Sequence, residues 1–390
     1  MFTFDGERYV KEHPPHARTR RRRFTKLYAN RWAVLYARLS CCCPRALMAA
    51  IEDDMEQRWP IDARRNSAFS GKVGSDGDDS AIHEMIPLGD FMYVVKERGV
   101  YSMQLADQID PGRTNISVPN VQQKILPIGS SDPIVARTLL TAHTLFKAEL
   151  LGPSFNEKKG VELMLELLKS IVAMIGMRVE LEAADAQARA AFEARAQDCG
   201  ALALPAIANL KARCDAFSQK GGHVVDILEN IAKLFYRSEL KSKWIDALCE
   251  LTAQRYGEGS PFAQYMTKAR PFLLFVRDMR NMIEHPKDDK HVKVRDFRLL
   301  PSTEIAPPTF EIVRPGEGAQ SATITLLMTQ IVDDLVSVTE VLIVYLCRAT
   351  VQPFAGFAIN VVELPLEQRS NKEQRFYYGC QHGGQIVRFG

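Results

Sequence analysis

The residues best placed to do chemistry are Arg280, Asn281 and His285, in the run Arg280-Asn281-Met282-Ile283-Glu284-His285-Pro286. An imidazole can take or give a proton near neutral pH, and a guanidinium can hold two phosphate oxygens at once. Such a pair suits cleavage of an RNA backbone. There the 2′-hydroxyl oxygen attacks the adjacent phosphorus, a base removes its proton, an acid protonates the leaving 5′-oxygen, and a cation offsets charge on the phosphorane. His285 fits base or acid, and Arg280 fits the cation. The competing reading is a helix-end histidine beside a surface arginine. Arg277 lies three residues before Arg280, on nearly the same helical face, and is a candidate substrate-binding residue; alternatively it pairs with a carboxylate such as Glu284.

These residues need an element to hold them. Phe272, Phe275, Val276, Met279 and Ile283 recur at three and four, which predicts an amphipathic helix from about Ala263 to Glu284. Pro286 disfavours the α conformation at His285, so the helix is expected to end there. Arg280 and His285 are then roughly 140° apart around an ideal helix. Bringing both to one phosphate requires the helix end or a second chain. Because concerted acid–base cleavage needs two proton-transfer groups, a homodimer with facing motif helices is expected.

An Arg followed by a polar residue, three further positions and a His, set at a helix end among long amphipathic helices, resembles the motif of the HEPN superfamily, with Asn281 in the polar position. The resemblance covers "RNMIEHP" and the helices of residues 222 to 350; the first 220 residues share none of it. It implies a small helical bundle, commonly dimeric, and a metal-independent endoribonuclease acting on RNA as a toxin or in phage defence, with a neutralising antitoxin as a further partner. Arg280, Asn281 and His285 become the catalytic set. The superfamily also has members that only bind. The alternative is therefore a non-catalytic helical module that binds RNA or a partner protein.

Other clusters fit chemistry less well. The run His285-Pro286-Lys287-Asp288-Asp289-Lys290-His291 has His and Asp but lacks an i, i+4 pair of helical histidines, and its lysines repel cations. No metal or other cofactor is expected. Gly221-Gly222 lacks the preceding strand a phosphate loop needs. Asp333-Asp334 read as exposed or paired with an arginine, and His223, His143 and His83 stand singly.

A hydrophobic content of 46% with 25% charged residues excludes a wholly disordered chain. Charge is uneven: residues 1 to 66 hold fourteen Lys and Arg against eight Asp and Glu, while the whole chain has a formal charge of +3. The body is thus no electrostatic trap for duplex nucleic acid, and a grip on RNA must be local. Eight cysteines, three of them consecutive at Cys41-Cys42-Cys43, show no metal-ligand spacing, which together with the absence of a signal-like start predicts a reduced cytoplasm. The apolar stretches Val161 to Met177 and Ile324 to Leu346 are broken by charges and read as buried helices, so no membrane is expected.

The fold class expected is mainly α: a four-helix bundle with additional N-terminal helices and one small antiparallel sheet made by an insertion and the C-terminal tail. Residues 1–84 read as a detached arm, Arg-rich at Arg18 and Arg20 to Arg23, with Met85 as an alternative start. Residues 85–220 read as mostly helical, although 86 to 104 suit a hairpin or two short helices equally and Asp107 to Ser131 reads as a long loop. Asp132-Pro133 opens a helix, a second runs from about Asn156 to Cys199, and Pro205 starts another that ends near Phe217, with a boundary at 218 to 222. Residues 221–350 form the bundle, carrying a hairpin insertion at about 291–315 that could roof the motif. Residues 351–390 form a β-rich tail.

Overall fold

The computed structural model describes residues 60–66, 72–74, 77–194, 201–237, 239–240, 243–316, 318–354, 356–382 and 385–389, and the chain divides into two units, 1–67 and 68–390. In the first, helix α1 (Pro60–Asn66) carries Asp62 in its first turn and Arg64 and Arg65 in its last, the polarity that a helix dipole favours. The arginine run Arg18 to Arg23 and Cys41 to Cys43 lie outside the described residues.

The second unit opens on a four-stranded antiparallel meander: β1 (Ile82–Leu88), β2 (Phe91–Lys96), β3 (Val100–Gln104) and, after the short helix α2 (Ala106–Ile109), β4 (Val121–Leu126). Its inner face buries Ile86, Leu88, Val95, Val100 and Leu126 in the common core. Of the two alternatives for 86 to 104, the antiparallel strands are the ones formed. Two expectations are corrected here. The expected loop from Asp107 to Ser131 contains the strand β4, which pairs with β3. The stretch 72–84, assigned on composition to the arm, belongs to this unit. Lys96, 3% exposed, donates to the carbonyl oxygen of Val73 (2.7 Å) and to that of Asp78. The Asp78 carboxylate in turn accepts from Tyr101 Oη (2.7 Å) and Ser80 Oγ (2.6 Å).

Asp132 caps the next segment as predicted, accepting from the Ile134 amide (2.8 Å). The helix is not regular, however. It passes from α3 (Pro133–Val135) through a π-helical stretch (Ala136–Leu140) to α4 (Thr141–Leu145), and restarts as α5 (Ala148–Leu151). The 37-residue α6 (Glu157–Glu193) follows, with Asn156 accepting from the Lys159 amide.

Helix α7 (Leu210–Tyr236) runs unbroken through residues 218 to 222, where the sequence reading placed a boundary. Gly221 is there for close approach. A Cβ on it would stand 3.1 Å from Val276 and 3.5 Å from the end of Met174, so the glycine lets α7 press against two helices at once. Next come α8 (Trp244–Tyr256) and the motif helix α9 (Pro261–Glu284), which Ser260 caps at the Ala263 amide. The closing helix is α10 (Ile324–Thr350). Leu273, Val276, Met279, Met282 and Ile283 form the buried stripe of α9, while Phe272 and Phe275 pack half-buried on its edge. Asp333 on α10 is exposed, as its polarity demands.

The insertion and the tail form separate sheets, which corrects the single sheet expected. β5 (His291–Arg295), β8 (Thr309–Val313) and β9 (Gln320–Thr323) make one, with β6 (Arg298–Leu299) and β7 (Ile305–Ala306) as a small hairpin between. β10 (Asn360–Glu363), β11 (Phe376–His382) and β12 (Gln385–Arg388) make the other. Each group finds its edge partner locally: β9 pairs with β8 and β12 with β11, so neither needs the other. The molecule is mainly α with small antiparallel sheets, and among the described residues no helix is long and apolar enough to cross a membrane.

Candidate functional site

Helix α9 ends where Pro286 predicts. His285 is the C-cap, with φ −130° and ψ 65°, and its amide makes the last helical bond, to the Asn281 carbonyl oxygen (2.9 Å). The burial of this last turn sorts by chemistry. Met282 and Ile283 enter the core, whereas Arg280, Asn281 and His285 are exposed. Among the described residues the side chains of Asn281 and His285 make no hydrogen bond, so both are available to a ligand.

Arg280 is engaged. Its Nε donates to Glu284 Oε2 (3.0 Å), and Gln219 Nε2 from α7 donates to the other oxygen (2.9 Å). These two bonds, with Arg280 and His285 as nearby positive charges, hold the Glu284 carboxyl below its usual range. Glu284 thus bonds one of the two expected catalytic side chains and feels the charge of the other, and no bond joins Arg280 to His285. The expected pairing of Arg277 with Glu284 is replaced. Seven residues separate them, two turns of helix, whereas Arg280 is one turn away. Arg277 instead lies 3.4 Å from Asp278, whose other oxygen accepts from Lys290 (2.6 Å) in the turn after the motif.

Helix α7 contributes residues that the sequence reading passed over. Burial and the neighbouring Glu229 raise the pKa of Asp226, while the charges of His223, Arg277 and Arg280 oppose the rise. His223 Nε2 donates to Glu166 Oε1 on α6 (3.1 Å). A spacing of four and three on α7, Gln219 to His223 to Asp226, was the available signal; what it lacked was any hint that Glu166 bonds His223 or that Arg277 and Arg280 lie within charge range of Asp226.

Glu166 also lines an open cleft of about 450 Å³ between the β1–β2 turn and α6, with Phe91, Tyr93, Glu162 and Lys169. Lys169 lies over the Tyr93 ring, 5.8 Å from its centre. Thiol chemistry has poor prospects at three of the described cysteines. Burial pushes Cys214 up to about 12 and raises Cys249 and Cys347 as well, which disfavours the reactive thiolate. No group of three or more His, Cys, Asp or Glu side chains suited to a metal ion occurs among the described residues. Compared with protein-family models, with curated proteins and with solved structures, the chain matches none of them.

Proposed function

We propose that the protein is a HEPN-like, metal-independent endoribonuclease acting as a toxin or phage-defence effector in the cytoplasm. The observation that carries this reading is the sorting of the last turn of α9: the apolar members of the motif are buried, and Arg280, Asn281 and His285 all face solvent at one helix end. A motif kept only for packing would not need a guanidinium, an amide and an unbonded imidazole on its open side. In the proposed reaction the substrate's 2′-oxygen bonds to phosphorus, the bond from phosphorus to the 5′-oxygen breaks, and one imidazole returns a proton to that oxygen. The products are a 2′,3′-cyclic phosphate and a 5′-hydroxyl. A homodimer with facing motif ends would bring a second His285, which is the partner arrangement proposed with this function.

One observation favours a second reading, a helical module that binds RNA or a partner protein without cleaving. Arg280 already has a carboxylate partner, so its charge is partly spent within the fold. Purified protein incubated with RNA in excess EDTA separates the two. The ribonuclease reading expects cleavage with cyclic-phosphate ends, a loss of about 10²- to 10⁴-fold in His285→Ala, and resistance of DNA. In Arg280→Lys, one lost charge-assisted bond of about 1.5–3 kcal/mol would slow the reaction about 10- to 100-fold. Cleavage that EDTA abolishes and magnesium or manganese restores, 3′-hydroxyl ends, or no cleavage at all would overturn it.

A further inference from the structure

One imidazole at a helix end supplies one proton-transfer group, and the sequence reading drew the second from another chain. The fold offers one within the same chain. Along α7, Gln219 bonds to Glu284, the carboxylate that also holds Arg280, and Asp226 lies within reach of the charges of Arg277 and Arg280. His223 sits between these positions on the same face of α7, one turn beyond Gln219 and just under one turn before Asp226. Its side chain is 42% exposed, that of Glu166 52% and that of Arg280 54%, so solvent and a polymer can reach all three.

We infer that Glu166 and His223 form a positioned base for the phosphate that Arg280 would hold, so that a single chain carries both proton-transfer groups. This rests on the ribonuclease reading above, replaces the second His285 of the facing homodimer, and names the second group within one chain. An ionised carboxylate can only accept, so the hydrogen on His223 Nε2 points to Glu166 and the lone pair resides on Nδ1. Nδ1 takes the proton of the 2′-hydroxyl as its oxygen bonds to phosphorus. Protonated His285 gives its proton to the departing 5′-oxygen. The two imidazoles exchange states over one cleavage, and solvent resets them. Glu166 acts through His223 and is a positioning residue, fixing which nitrogen is basic. Glu166 from α6 bonds His223, and Asp226 on the same helix lies within range of the charges of His223, of Glu229, and of Arg277 and Arg280 from α9.

The test uses the full chain on single-stranded RNA in EDTA. His223→Ala should lower kcat about 10²- to 10⁴-fold with the melting temperature unchanged, because the side chain is exposed. One limb of the pH–rate profile should disappear with it. Glu166→Gln should lower kcat with KM held, and Glu166→Asp, which keeps the carboxylate, should recover part of the loss. The rate per chain should stay constant on dilution to monomer. A wild type that cleaves while His223→Ala keeps its rate, or Gln and Asp at position 166 behaving alike, overturns this inference and leaves the ribonuclease reading standing. A wild type that does not cleave overturns both.

Discussion

A guanidinium that is to hold a phosphate must first loosen its grip on any carboxylate it already has, and Arg280 has Glu284. Gln219 and Arg280 both hydrogen-bond the ionised form, which is why the Glu284 carboxyl lies below its usual range. A carboxylate whose folded pKa is below its unfolded value of about 4.3 stabilises the fold above that range. The contribution is lost as pH falls through the folded value. Glu284→Gln should therefore melt slightly below the wild type at neutral pH, by a small margin because solvent screens the pair. The gap should narrow progressively as the pH is taken below about 4. Thermal melts of both proteins across that range check it, and a gap that persists undiminished in acid would show that the carboxylate's charge is not what matters there.

At the scale of elements, an ion cluster that the sequence could not show joins three parts of the chain. Glu340 of α10 is fully buried and accepts from Arg137 Nε on the π-helical stretch (2.7 Å) and from Arg375 just before β11 (Nε, 3.0 Å). The bond that Arg375 donates to Glu340 is the chief reason its pKa is raised. Glu340→Ala leaves two guanidiniums without their carboxylate, but they are 25% and 35% exposed and solvent reaches both, so it should cost about 3 kcal/mol or less, whereas replacing all three residues by apolar ones of similar volume should be near neutral. Denaturant unfolding of both variants decides it; a single mutant as stable as the triple would contradict the argument. The same contrast explains what was legible. Periodicity at three and four found α6, α8, α9 and α10, and Pro286 found the end of α9, because those signals are local. The meander, the break-free α7 and the Arg280–Glu284–Gln219 contact depend on partners far away in sequence. Gly221 is the plainest case, since a glycine that permits helix contact and one that ends a helix are the same letter.

For the whole molecule the informative question is where the second unit's fold begins. Composition shifts near Ile86, and a boundary drawn there would remove the first half of β1 and the loop that Lys96 binds. Yet Lys96 is 3% exposed, and its ammonium is hydrogen-bonded to the carbonyl oxygens of Val73 and Asp78, with the Asp78 carboxylate at 3.7 Å. Deleting residues before Met85 would leave that charge buried without a partner, which a fold tolerates poorly. The loss would also strip Ile82 and Glu84 from their pairing with Lys96 and Val95 on β2. A chain beginning at Lys72 keeps every one of these contacts. It should unfold cooperatively, with a melting temperature close to that of the full chain, whereas a chain beginning at Met85 should be markedly less stable or insoluble. Adding Lys96→Met to the shorter chain should restore part of its stability, because an apolar side chain of similar length asks for no hydrogen bonds. Calorimetry on the three proteins is the measurement. Equal stability of the chains starting at Lys72 and Met85 would mean that the residues before Met85 contribute nothing to the fold, and that the buried ammonium finds other partners when they are gone.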